Sequence, residues 1–279
     1  LPAPSRRPPG ARRGAVVVAV GGAGGGRAAP AVLLMHPPLH RRALAEGCGT
    51  AFLVAVVVGS GIAAARLSPH DLGLQLFENA AATTGGLVAL ILAFGPVSGG
   101  HFNPAVSLAD AAFGGLAWRD VPVYVAAQVS GAIGGSIVAN LMFDLDAVSW
   151  SQHHRASSGL WLGEVVATLG LLLVIFGVVR SGRSSAAPFA VGAYIGGAYF
   201  FTSSTSFANP AVTIGRAFSD TFAGIAPGSV AGFVAFQLVG MAVAVALIRV
   251  LYPDARVAAG DVVVPAVDAG AGAGGGGAR

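Results

Sequence analysis

Asn103-Pro104-Ala105 recurs as Asn209-Pro210-Ala211, and the recurrence gives the motif its chemical meaning. Asparagine is a good helix N-cap and proline is favoured at the first helical position, so each copy reads as a helix start. A polar turn precedes each one, Ser98-Gly99-Gly100-His101 and Ser203-Ser204-Thr205-Ser206. The roughly ten mixed residues that follow each motif are too few to cross a bilayer. An Asn amide in this position can cap its own turn and still offer an N–H outward. The helix end behind it carries roughly half a positive charge. Two such ends facing one path would donate to passing oxygens and repel cations, hydronium included.

Other reactive residues are sparse. Glu46 and Glu164 lie inside apolar stretches, where an acid is a functional candidate by default. His153-His154 and His36/His40 are the His pairs, and no acid or cysteine cluster joins them to complete the three or four ligands a metal needs. No Ser-His-Asp order stands out. Neither an enzyme nor a metal or other cofactor site is expected. Cys48, the single cysteine, reads as a small packing residue and permits no intramolecular disulfide.

The elements that must position these residues are membrane spans. The chain is 54% hydrophobic and 10% charged, against about a quarter charged in soluble domains. Residues 121–143, 221–248 and 186–215 carry no ionisable acid or base, and 43–65, 74–97 and 159–179 are each broken by one Glu. A span of about 20 apolar residues crosses the hydrocarbon core as a helix, and in lipid every backbone polar group must be satisfied internally. About six spans are expected. The net charge of +4 comes from arginine, since the sequence has no lysine. Arg41, Arg42, Arg119, Arg180, Arg183, Arg249 and Arg256 sit at span ends that share one side if both termini are cytoplasmic; Arg66 and Arg155 are the weaker opposite set. Membrane orientation therefore explains the basic balance, and no nucleic-acid partner is expected.

Residues 1–40 form a Pro/Gly/Arg-rich leader expected to be disordered, with Met35 a second candidate start; 254–279 reads as a flexible tail. The body, 41–253, is a tandem repeat over about 42–143 and 159–252. Glu46-x-x-x-Thr50 recurs as Glu164-x-x-x-Thr168, His101-Phe-Asn-Pro-Ala-Val106 as Phe207-Ala-Asn-Pro-Ala-Val212, and Gln128-x-x-Gly131 as Gln237-x-x-Gly240. Each half holds about three spans, an odd number, so the second half enters from the opposite face and the repeat is inverted. Gly131/Gly135, Gly192/Gly196 and Gly228/Gly232 are spaced for close helix contact. The fold class expected is an all-α membrane protein with six transmembrane helices and two re-entrant half-helices.

These motifs together resemble the major intrinsic protein, or aquaporin, family over about residues 42–252. The resemblance implies a right-handed six-helix bundle, one pore per chain, a homotetramer, and multi-pass residence in the bacterial inner membrane. It implies that Glu46 and Glu164 are scaffold groups bonding the re-entrant turns, and that Gly99, Gly100, His101, Ser204 and Thr205 belong to turns lining the pore. Water channels of the family carry an Arg directly after the second Asn-Pro-Ala; Val212 stands there. The remaining filter positions transfer by spacing to Thr83, Ser206 and, by ungapped counting, Gly197, with Tyr199 the alternative at an offset of two. Arg216, two turns past Asn209, is expected away from that ring, pairing with Asp220 near the outer mouth. The expectation is a wider, less cationic constriction that passes small neutral solutes. The stretch 201–216 resembles bacterial members linked to metalloid passage, which puts arsenous acid first, then glycerol-like molecules and water, with little proton leak. A water-selective channel is the alternative, and an ion-coupled secondary transporter a remoter one, since it would need cavity-facing acids.

Overall fold

The computed structural model describes residues 37–252. The leader up to residue 36, with Met35 and His36, and the tail lie outside the described residues. Eight α-helices follow in order: α1 Leu39–Leu67, α2 Leu72–Ser98, α3 Pro104–Phe113, α4 Val121–Met142, α5 Ser158–Arg180, α6 Ala187–Phe201, α7 Pro210–Arg216 and α8 Pro227–Leu251. Five of them (α1, α2, α4, α5 and α8) are long and apolar enough to cross a membrane. α6 has 15 residues behind a short 3₁₀ turn, Ser184–Ala186. The charge-free run 186–215 is therefore not one span; it divides into α6, a turn and α7.

The halves pack by one scheme. α1 lies against α2 and α4, and α5 against α6 and α8; α2 meets α6 across the middle, α7 packs on α4, and α3 reaches α8. The short helices point in opposite directions. At one end of the bundle Arg42 of α1 bonds Asp120 before α4 at 2.8 Å, and Arg249 of α8 sits 5.9 Å from the ring of Phe113, the last residue of α3. At the other end Ser149, in the loop after α4, donates to Phe218 O just beyond α7. The observed architecture is six spans plus two half-helices in an inverted repeat.

Small residues close the seams. A Cβ on Gly131 or Gly135 would collide with the backbone carbonyls of Gly47 and Ala51, so α4 can approach α1 this closely only as glycine. Gly192 and Gly196 meet Thr84 and Val88 of α2 in the same way. Of the third expected pair, Gly232 touches Trp161 and Gly228 faces open space.

Candidate functional site

The two polar turns have the same backbone. Gly99, Gly100 and Phe102 are left-handed (φ +93°, +62° and +48°), and so are Thr205, Ser206 and Ala208 (+60°, +51° and +46°), each 106 positions later. Glycine adopts this region freely, whereas Thr, Ser, Phe and Ala do so at a cost. The turns end at Asn103 and Asn209, whose φ/ψ are −155°/118° and −156°/110°. Each Asn Oδ1 caps its own helix, accepting from Ala105 N at 2.9 Å and from Ala211 N at 3.0 Å. Pro104 and Pro210 occupy the first turns behind them, and Ala105 and Ala211 are fully buried where the half-helices meet.

Each Asn amide then reaches across. Asn103 Nδ2 donates to Ala208 O at 2.8 Å, and Asn209 Nδ2 donates to Phe102 O at 2.7 Å. The reciprocal pair holds the half-helices N-terminus to N-terminus. An amide has two N–H donors, so each Asn keeps one beyond the crossing bond, and both residues line the central conduit.

A buried carboxylate holds each strained turn from behind. Glu46 Oε1 accepts from Ser98 Oγ at 2.6 Å and His101 N at 3.0 Å, and its Oε2 from Phe102 N at 2.7 Å and Gln128 Nε2 at 2.8 Å. Glu164 mirrors it, accepting from Phe207 N at 3.0 Å, Ala208 N at 2.9 Å and Gln237 Nε2 at 2.5 Å. Gln128 also donates to Ser107, and Gln237 to the equivalent Thr213. Both carboxylates are fully buried, which several charge-assisted donors make tolerable.

The conduit has one polar and one apolar side. Gly100, His101, Asn103, Ser206 and Asn209 supply the polar strip. The apolar wall comes in repeat-related pairs, Leu53 with Leu171, Val57 with Ile175, and Val106 with Val212. Along α2 the lining runs Thr83, Leu87, Ile91, and along α6 it runs Ala187, Val191, Ile195, Tyr199, stripes four residues apart on one helix face.

The α6 stripe corrects one expectation, and the turns and α7 correct others. Gly197 does not line the conduit; it is exposed, and a Cβ there would meet nothing within 4 Å. Two residues along a helix turn about 200°, so Tyr199 takes the position, its hydroxyl 3.1 Å from Thr83 Oγ1. Gly99 and Ser204 also leave the lining. Gly99 ends α2 as its left-handed cap, and the fully buried Ser204 hydroxyl accepts from Ser206 N. Thr205 lies at the mouth beside α7 rather than in the conduit. Thr83, Ser206 and Val212 do lie on the conduit, and the buried Ser206 hydroxyl has no protein partner.

Arg216 departs from expectation as well. It is 3% exposed, lines both the conduit and the α7 mouth, and does not pair with Asp220. Its Nε donates to Ala223 O and its guanidinium lies 3.4 Å from the Phe207 ring centroid. Asp220 instead accepts from Gln152 N at 2.8 Å. The spacing already held the reason: Val212 and Arg216 are four residues apart and share one face of α7. Arg155, in the loop before α5, also lines this mouth, 5.3 Å from the same ring. Burial pulls its pKa below the ordinary arginine value, with Glu164 pulling the other way.

A second titratable group faces the conduit at its α3 end. His101 Nδ1 is 3.0 Å from Ser107 Oγ, and its Nε2 is 3.5 Å from buried Asp110. At the offset of 106 Asp110 corresponds to Arg216, a residue of opposite charge, so no repeated residue type marked it.

Residues 33–208 match the family described as Major intrinsic protein. The chain is 50% identical over 218 residues to "Aquaglyceroporin AqpS" of Rhizobium meliloti (strain 1021), covering 78% of this chain and 93% of that protein. It is 33% identical over 184 residues to "Aquaporin NIP1-3" of Oryza sativa subsp. japonica, 63% of each chain. It is 32% identical over 163 residues to "Aquaporin-9" of Mus musculus, 51% of this chain and 55% of that one. The fold superposes on the X-ray structure of the aquaglyceroporin from Plasmodium falciparum with a TM-score of 0.64 at 21% identity, covering 79% of this chain and all of that one.

Proposed function

The chain belongs to the major intrinsic protein family, and from that membership we propose that it is a passive channel for small neutral solutes, with arsenous acid, glycerol-like molecules and water as its substrates. The family is one of channels, and the bacterial relative at 50% identity is named an aquaglyceroporin. The observation that carries the reading is the crossed pair of Asn amides at the centre of a conduit with a polar strip and an apolar wall. A solute with hydroxyls on one side and a less polar body on the other satisfies both faces. The unpartnered Ser206 hydroxyl is a natural hydrogen-bond station on that path.

In this reading Asn103 and Asn209 donate at the midpoint, and Thr83, Tyr199, Ser206 and Val212 set the width. Pro104, Ala105, Pro210 and Ala211 build the helix starts, while Glu46 and Glu164 brace the turns. The functional unit is 41–253, assembled as a homotetramer in the inner membrane with both termini cytoplasmic. The arginine distribution supports that orientation. Residue type favours solutes larger than water, because the position after Asn209-Pro210-Ala211 carries valine.

The test is stopped-flow permeation of water, glycerol and arsenite in proteoliposomes, with Val212→Arg as the comparison. We expect all three to permeate above the empty-liposome rate, and Val212→Arg to cut glycerol and arsenite at least tenfold relative to water. Wild-type arsenite flux at the empty-liposome rate removes the metalloid assignment, and an unchanged solute range in the variant removes Val212 from the filter.

A further inference from the structure

Two guanidiniums meet at the α7 mouth with no carboxylate between them. Arg216 and Arg155 both lie against one ring, Phe207, at 3.4 and 5.3 Å from its centroid, and both line the same mouth. Each spends its Nε on a backbone carbonyl, Ala223 O and Gly224 O. Neither takes part in an ion pair among the described residues, and the rest of the mouth is Leu72, Leu76, Asn79, Thr205 and Phe222. Asp220, the acid in the neighbouring loop, is turned to Gln152 N and lies 4.0 Å from His153. Two sequestered like charges repel each other, and Glu164, the buried acid that acts on both, is bonded to Phe207 N, Ala208 N and Gln237 and makes no ion pair with either.

We propose that this mouth is a binding station for a small phosphate-type oxyanion, held between the terminal N–H groups of Arg155 and Arg216. The guanidinium fork matches such an anion's oxygens, and charge-assisted bonds of this kind are about twice as strong as neutral ones. The ligand supplies a counter-charge in direct contact, which Glu164 does not. Because Arg216 lines the conduit as well as the mouth, a bound anion stands across the neutral solute's route. This consequence rests on the channel reading, whereas binding itself does not.

The experiment titrates inorganic phosphate at pH 6 into the full chain in a neutral detergent at low ionic strength, followed by calorimetry. Glycerol flux in proteoliposomes of the same preparation is measured separately and reports on the channel reading alone. We expect saturable binding with one site per chain, at least tenfold weaker in Arg155→Gln and in Arg216→Gln, and weakened by added sodium chloride as screening requires. Leu72→Asp leaves both arginines in place and puts an acid in the first turn of α2, where it suits the helix dipole; it too should weaken binding tenfold. A parallel titration with short-chain phosphatidylglycerol compares a lipid headgroup with the free anion, and arginine-dependent binding of either supports the station. Overturning results are no saturable binding to the folded wild type, whatever its glycerol flux, or binding that both Arg155→Gln and Leu72→Asp leave unchanged.

Discussion

Glu46 and Glu164 show how much a single buried side chain can carry. Each carboxylate satisfies the backbone donors of a turn whose left-handed residues could not hold that shape alone. Glu46→Ala leaves four buried donors without their acceptor, at about 1–3 kcal/mol for each that finds no substitute. We expect a thermal midpoint in detergent far below that of the wild type, with Glu164→Ala the same. The two turns also differ usefully. Positions 99 and 100 are glycine, but 205 and 206 carry Thr and Ser in the same left-handed backbone. A β-branched residue there costs on the order of 1–3 kcal/mol, so Thr205→Gly should raise the midpoint measured by differential scanning fluorimetry. A drop would mean that Thr205 side-chain contacts outweigh the strain. The Asn pair, the glutamates and the conduit-lining Val212 were legible in the sequence because they are repeated, or sit beside a repeated motif. The shared strained backbone was less so, since Gly-Gly and Thr-Ser look unrelated until the offset of 106 is applied.

At the scale of elements, the α1–α4 seam depends on missing side chains. Gly135→Ala should destabilise the folded protein, because its Cβ meets the Ala51 carbonyl. Gly134→Ala meets nothing within 4 Å and should be neutral or stabilising by up to about 1 kcal/mol from helix propensity. Comparing the two midpoints separates packing from propensity. Element type was readable from apolar length, and half-helix starts from Asn-Pro. Phase was the weak point. Ungapped counting points to Gly197 and ignores helix face, whereas the lining of α6 follows a four-residue stripe that includes Tyr199. Arg216 follows the same logic: distance along α7 carries it away from Val212, but a spacing of four returns it to the same face. The division of 186–215 into α6, turn and α7 was hidden because every part of it is uncharged.

At the scale of the molecule, the inverted repeat puts the positive ends of two half-helices against one conduit and leaves no intramembrane acid among the scaffold pair free to couple an ion, since Glu46 and Glu164 are both occupied. Flux should therefore be driven by the solute gradient alone. The most direct test follows glycerol uptake into proteoliposomes with imposed proton and sodium gradients and again after ionophores have collapsed them. A passive conduit gives uptake well above protein-free vesicles and the same rate in both conditions. Uptake at the protein-free rate, or uptake that vanishes with the gradients, would contradict it.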